Sequence, residues 1–297
     1  MHIIAVANEK GGVAKTTTVI SLGGALVDAG HEVLLIDLDA QANMTLGLGL
    51  APAKQRRSIA DVLLSSATIL SASRETGIPG LDIVPSSPNM GLAERFLPVR
   101  QDYEYLLKNA LKAISTYEFI LLDCPPSLGA VTLNALTAAD RVITPTQPEY
   151  FSAYGLRSVM AMIRKVRGLS SPNLEPQKPA DSAADETTIT DTSPASVGGS
   201  PNPTRSHGTN PALVYNILIT MMDRRNRIHR TLSEQLRTTF GEGLLNTVIE
   251  VDTKLRESTV AGQPITHYYP KSRSADQYRA LAEEIILYAQ EKASEPD

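Results

Sequence analysis

The turn Glu9-Lys10-Gly11-Gly12-Val13-Ala14-Lys15-Thr16-Thr17-Thr18 constrains the fold more than any other stretch of the 297-residue chain. The apolar run at 3–7 before it reads as a buried parallel strand. After it, Val19, Leu22, Gly23 and Leu26 fall at the spacing of one helix face. Strand, glycine-rich turn and helix, in that order, present successive backbone N–H groups at a helix N-terminus. Such a turn is a cradle for a phosphate. Lys15 adds a point charge to it, and the Thr16 hydroxyl can reach Mg²⁺. The cradle as a whole is Lys10, Gly11, Gly12, Val13, Ala14, Lys15, Thr16 and Thr17.

Two residues depart from the usual G-x-x-x-x-G-K-[ST] loop. Ala14 stands where the second glycine belongs, and a negative φ that keeps the loop shape is expected there. Lys10 is an additional lysine just ahead of Gly11. A side chain at the loop's entry does not easily fold back onto the same phosphates. It can reach a nucleotide held by a second copy of the chain.

Strand-like runs recur at 2–7, 33–38, 81–85, 118–123, 141–145, 212–220 and, more weakly, 246–250. Helical spacing fills 16–29, 58–65, 89–97, 103–116, 128–139, 152–168, 228–239 and 272–291. This alternation predicts an α/β fold: a doubly wound, mostly parallel sheet with helices on both faces. Residues 170–211 break the pattern, being dominated by Ser, Pro, Thr, Ala, Asn and Asp. They read as a disordered insertion in a surface loop of one domain spanning 1–297, because such a stretch buries too little to offset its ordering entropy.

A hydrophobic content of 42% with 20% charged residues fits a soluble chain with a sizeable core. No apolar run approaches the roughly 20 residues that span a bilayer, and the first strand begins too early to leave room for a signal peptide. The single cysteine, Cys124, excludes an internal disulfide and suits a reducing cytoplasm; it reads as a small buried residue. The net charge of −4 gives no global attraction to nucleic acid, so any such binding needs a local patch.

Asp37 and Asp39 close the second strand, on one face by strand alternation, and suit metal-shell and water-orienting roles. Asp37 also has a plainer reading as a turn or helix cap. Asp123 ends an apolar run at 119–122, the pattern of a carboxylate that holds Mg²⁺ directly or through water. Met221 and Met222, at the close of the 212–220 run, are candidate adenine contacts.

With these motifs in hand, the chain resembles the ParA/MinD group of P-loop ATPases with a deviant Walker A motif, and within it the ParA proteins of DNA partition. The resemblance is carried by 10–18, 36–43 and 121–129, supported by 218–225, 246–264 and 269–284. It implies ATP and Mg²⁺ as cofactors. Lys10 matches the lysine that crosses to the partner's ATP in a nucleotide-sandwich homodimer, and Lys15 the phosphate-binding lysine. Thr16 matches the Mg²⁺ ligand, Asp39 the aspartate that positions the attacking water, and Asp123 the Walker B carboxylate. Slow ATP hydrolysis, stimulated by a ParB-like or other cargo adaptor, is implied with them.

A basic surface follows, since 223–230 holds Arg224, Arg225, Arg227 and Arg230, with Lys254 and Arg256 downstream. Arg225 and Lys254 match positions where ParA proteins carry DNA-binding arginines. Phosphate contacts need only the charge, so binding to DNA without sequence preference is expected of Arg224, Arg225, Arg227, Lys254 and Arg256. A MinD-like membrane-associated positioning ATPase is the alternative. The tail opposes it, with five acidic residues and one lysine after position 282. An iron–sulfur carrier of the nitrogenase iron-protein type would need more than one cysteine.

Overall fold

The computed structural model describes residues 1–150, 152–169 and 209–294. The predicted insertion therefore lies outside the described residues, apart from its last three positions. There Asn210 is buried, and its side-chain amide donates to the carbonyls of Leu136 (3.0 Å) and Ala139 (2.6 Å). The expected insertion is thus too long at its C-terminal end, because Asn210 already closes the chain onto the core.

The elements in chain order are β1 (His2–Val6), α1 (Lys15–Asp28), β2 (Val33–Asp37), α2 (Asn43–Gly47), α3 (Ile59–Leu63), α4 (Ile69–Ala72), β3 (Arg74–Ile78) and β4 (Leu81–Val84). They continue with α5 (Met90–Phe96), α6 (Leu106–Leu111), β5 (Phe119–Asp123), α7 (Ala130–Ala138), β6 (Arg141–Thr146) and α8 (Ser152–Val166). Last come β7 (Val214–Met222), α9 (Arg227–Phe240), β8 (Leu244–Glu250), α10 (Thr253–Val260), α11 (Ile265–Tyr268) and α12 (Arg273–Ser294). One sheet joins all eight strands in the order β3-β4-β2-β5-β1-β6-β7-β8. Every pairing is parallel except that of β3 with β4.

β2 and β5 are buried at every position, which requires helices on both faces. One face packs residues such as Leu34, Ile36, Leu122 and Val142 against Leu107, Leu111 and Leu136 of α6 and α7. The other packs Ile4, Val6, Leu35 and Leu121 against Leu22 and Leu26 of α1 and Tyr278 and Leu281 of α12. β8 is an edge strand, yet its outer donors are occupied. The Glu284 carboxylate of α12 accepts from the backbone N–H of Asn246 (2.8 Å) and Thr247 (3.0 Å), which closes that edge to strand addition. From β1 the chain runs through β2 to β4 on one side, and from β6 to β8 on the other. Ligands on such sheets bind at the carboxyl ends of strands where this direction reverses, and the loop after β1 lies there.

Candidate functional site

Gly12 (φ +74°) and Ala14 (φ +68°) both take left-handed backbone in the loop between β1 and α1. The expected negative φ at Ala14 is therefore wrong: the loop keeps the shape a glycine would give it, and alanine bears the strain. Ala42 (φ +54°) and Met221 (φ +53°) are strained in the same way, and Ala14 and Met221 both line the cleft above the loop. That cleft, about 730 Å³, is lined by Gly11, Gly12, Ala14, Lys15, Thr16 and Thr17, with Asp39, Asn43, Met221 and Thr259 opposite. It continues into a smaller, largely apolar recess of about 300 Å³ between Met221, Ile249, Val251, Leu255 and Val260. A phosphate chain fits the first and a flat base the second.

The two lysines of the loop face different ways. Lys15 is buried, its Nζ donating to the Lys10 carbonyl at 3.2 Å. Burial lowers its pKa, while Asp123 pulls it back up. Lys10 is turned outward onto the segment after β6: its Nζ pairs with Glu149 Oε2 at 2.6 Å and donates to Gln147 Oε1 at 3.2 Å. It is not among the residues lining the cleft. Asn8 fixes this geometry, its Oδ1 accepting from the Lys10 N–H (3.0 Å) and its Nδ2 donating to the Pro145 carbonyl (2.7 Å). Gln147 also donates to the Gly12 carbonyl (3.1 Å) and to Met221 Sδ, so one side chain touches Lys10, the phosphate loop and the base recess.

The three aspartates also separate. Asp123 is fully buried, and neither of its oxygens has a hydrogen bond in good geometry. Burial pushes its pKa well up, with Asp37 pushing the same way and the facing Thr16 hydroxyl offsetting part of it. An orphaned buried carboxylate facing a hydroxyl is costly unless a cation completes it, so Thr16 and Asp123 fit Mg²⁺. Asp39 lies past the end of β2 on the cleft wall, its Oδ1 accepting from the Gln41 N–H at 2.9 Å. Asp37 does not share that wall. It accepts from the N–H (2.8 Å) and hydroxyl (2.6 Å) of Thr45 and from the N–H of Asp39 (3.1 Å), so it anchors α2 and the Asp39 turn. The metal-shell role for Asp37 is thereby replaced by the capping role. Cys124 is buried and its thiol pKa is pushed up by burial, which leaves it inert.

The basic residues do not form one uniform patch. Glu250, at the end of β8, is clasped by Arg224 (2.6 Å) and Arg273 (2.9 Å). Lys254 pairs with Glu257 at 2.6 Å. Arg256 lines the base recess. Among the described residues Arg225 and Arg227, at the exposed start of α9, have no carboxylate partner. Asn8, Gln147, Glu149, Thr259 and Val260 were not among the expected site residues. A signal existed for two of them, since Gln147-Pro148-Glu149 follows a strand whose carboxyl end borders the loop.

A family model described as an AAA domain matches residues 1–175. The chromosome partitioning protein ParA of Caulobacter vibrioides is 34% identical over 96% of this chain and 94% of its own length. The sporulation initiation inhibitor protein Soj of Bacillus subtilis is 33% identical, covering 95% and 97%. Among solved structures, a protein of Mycobacterium smegmatis named cobyrinic acid a,c-diamide synthase, with bound ATP analogue and magnesium, is 31% identical. It superposes with a TM-score of 0.73 over 98% of this chain and 96% of that one. By this similarity along nearly its whole length, the chain belongs to the ParA family of P-loop partition ATPases.

Proposed function

We propose that this chain is an ATP-dependent dimerising switch that binds DNA without sequence preference and partitions or positions a cargo, with hydrolysis stimulated by a ParB-like or other adaptor. The observation that carries this reading is the outward Lys10. It stands at the mouth of the phosphate site, its side chain is directed away from that site, and it is held by an exposed ion pair with Glu149. Such a pair is worth about 0–1 kcal/mol, so a triphosphate presented by a second copy displaces it readily. Leu46 and Val260, 55% and 90% exposed on the rim of the same cleft, are apolar surface for that copy to cover.

Within one site, the loop amides and Lys15 bind the phosphates of ATP. Thr16 and Asp123 would hold Mg²⁺. Magnesium, when bound, supplies neutralising charge to the phosphate oxygens. Asp39 orients the water that attacks the terminal phosphate. The recess at Met221, Leu255 and Val260 takes the base. Positioning and charge neutralisation are most of what phosphoryl transfer asks of a protein. Closure of a dimer doubles the arginines at the start of α9, which ties DNA affinity to the nucleotide state.

The test is DNA binding by the chain and by Asp39→Ala, each with ATP and with ADP. ATP-dependent binding that persists in Asp39→Ala after hydrolysis has released the unaltered chain supports the switch. Equal binding with ATP and ADP overturns it, and loss of DNA binding in Asp39→Ala reassigns that residue to structure.

A further inference from the structure

Gln147 lines neither the phosphate cleft nor the base recess, yet its side chain bonds to a residue of each. It directly follows β6, the strand between β1, which feeds the phosphate loop, and β7, whose last two residues are Met221 and Met222. Its Nε2 donates to the Gly12 carbonyl (3.1 Å) and to Met221 Sδ, and its Oε1 accepts from Lys10 Nζ (3.2 Å). A carbonyl can only accept and an ammonium can only donate, so turning the amide over would lose both of those bonds. The orientation of this side chain is thereby fixed by its partners.

The three partners are not equally firm. A thioether sulfur is a weak acceptor, and Met221 is the partner that lines both the cleft and the recess. A base entering the recess packs against the Met221 side chain, so this is the contact that a nucleotide disturbs first. The other end of the same planar amide holds Lys10. An amide that turns to follow Met221 carries its Oε1 away from Lys10 Nζ. Phosphates held by the loop N–H groups alone leave Met221 Sδ where it is. With Gln147 gone from it, Lys10 keeps only the exposed pair with Glu149.

We propose that Gln147 is a positioning residue that relays occupation of the base recess to Lys10. With the recess empty it holds Lys10 outward beside Glu149, and with a base present it lets go. The relay rests on the switch reading above for its purpose, since a freed Lys10 is what a second copy engages. The experiment uses ADP, so that its outcome does not depend on dimerisation by ATP. The full chain is treated with N-hydroxysuccinimidyl acetate alone, with saturating Mg–ADP and with saturating Mg–pyrophosphate, and acetylation of Lys10 is timed by peptide mass spectrometry. Mg–ADP should raise the Lys10 rate about two- to tenfold, the range that loss of one hydrogen bond gives, and Mg–pyrophosphate should leave it unchanged. Gln147→Leu should show the faster rate in all three conditions. Gln147→Glu keeps an acceptor for Lys10 but has no donor for Gly12 and Met221, so it should show the slower rate in all three. Opposite baselines with the same lost response are not what a merely structural role produces. Equal action of Mg–ADP and Mg–pyrophosphate on the unaltered chain overturns the proposal. So does an undiminished response to ADP in either variant, Gln147→Glu alone sufficing if Gln147→Leu fails to fold. Failure of the switch reading would show instead in the DNA-binding test above, with these rates unaffected.

Discussion

At the scale of single residues, burial and pairing divide the loop's two lysines. Lys15 is 8% exposed and committed to its own cleft, whereas the Lys10 side chain is 30% exposed and paired with Glu149. Lys10→Ala should therefore keep ATP binding, because the loop amides and Lys15 are intact. It should lose ATP-dependent dimerisation, which light scattering with ATP and with ADP would reveal; an undiminished dimer would remove Lys10 from the interface. Glu149→Gln should act in the opposite sense, raising dimer affinity by up to about fivefold, since an exposed pair holds Lys10 by no more than about 1 kcal/mol. Ala14 allows a stability test of the same loop. Glycine there relieves roughly 1–2 kcal/mol of left-handed strain and loses about 0.4–1 kcal/mol through the freer unfolded chain. Ala14→Gly should thus stabilise the nucleotide-free chain by about 0.5–1 kcal/mol in urea unfolding.

At the scale of elements, legibility follows burial. The buried strands β1, β2, β4, β5 and β6 are continuous apolar runs, and each stands within a residue or two of its expected span. β3 was not expected, because Arg74-Glu75-Thr76-Gly77-Ile78 is an edge strand with no fully buried residue and no apolar run. α10 was missed for a related reason: of its eight residues only Leu255 and Ser258 are buried, so it shows no clear apolar face. Yet α10 supplies Leu255, Arg256, Thr259 and Val260 to the base recess, so the base side of the site was largely illegible while the phosphate side was plain. The loop's anion chemistry is written in adjacent residues; the recess is assembled from β7, β8 and α10 by tertiary packing. That packing rests on a close approach at Gly24 of α1, where an added Cβ would lie 2.4 Å from Pro264 Cβ, just before α11. Helix propensity favours alanine over glycine by about 1 kcal/mol, whereas overpacking costs about 1–3 kcal/mol. Pro264 is rigid and cannot rotate away, so the clash prevails. Gly24→Ala should lower the melting temperature by several degrees and also weaken ADP binding, because the displaced segment carries the wall at Thr259 and Val260. A melting temperature unchanged or raised would show that α1 and α11 slide apart freely.

At the scale of the whole molecule, a chain of net charge −4 must bind DNA, if it does, through a local concentration of positive charge. The carboxyl ends of β7 and β8 provide one, beside the nucleotide cleft, and the pairing there decides which residues are available. Glu250 occupies Arg224 and Arg273, which ties the turn after β7 and the start of α12 to β8, and Glu257 occupies Lys254 within α10. Arg225 and Arg227 carry no such brace and stand exposed at the start of α9. The first turn of a helix opposes positive charge through its dipole, and no carboxylate side chain pairs with either guanidinium among the described residues. A phosphate would relieve both. Each phosphate neutralised contributes about 0.9 to the slope of log affinity against log salt. A dimer presents each arginine twice, so Arg225→Ala should lower that slope by about 2, evenly across DNA sequences, with ATP-dependent dimerisation unchanged. Arg224→Ala should instead leave most of the slope in place and cost stability, because it unclasps the buried Glu250. Should Arg224→Ala, and not Arg225→Ala, flatten the salt dependence, the clasped arginines would be the DNA contacts and the ion pairs at Glu250 would have to open when DNA binds.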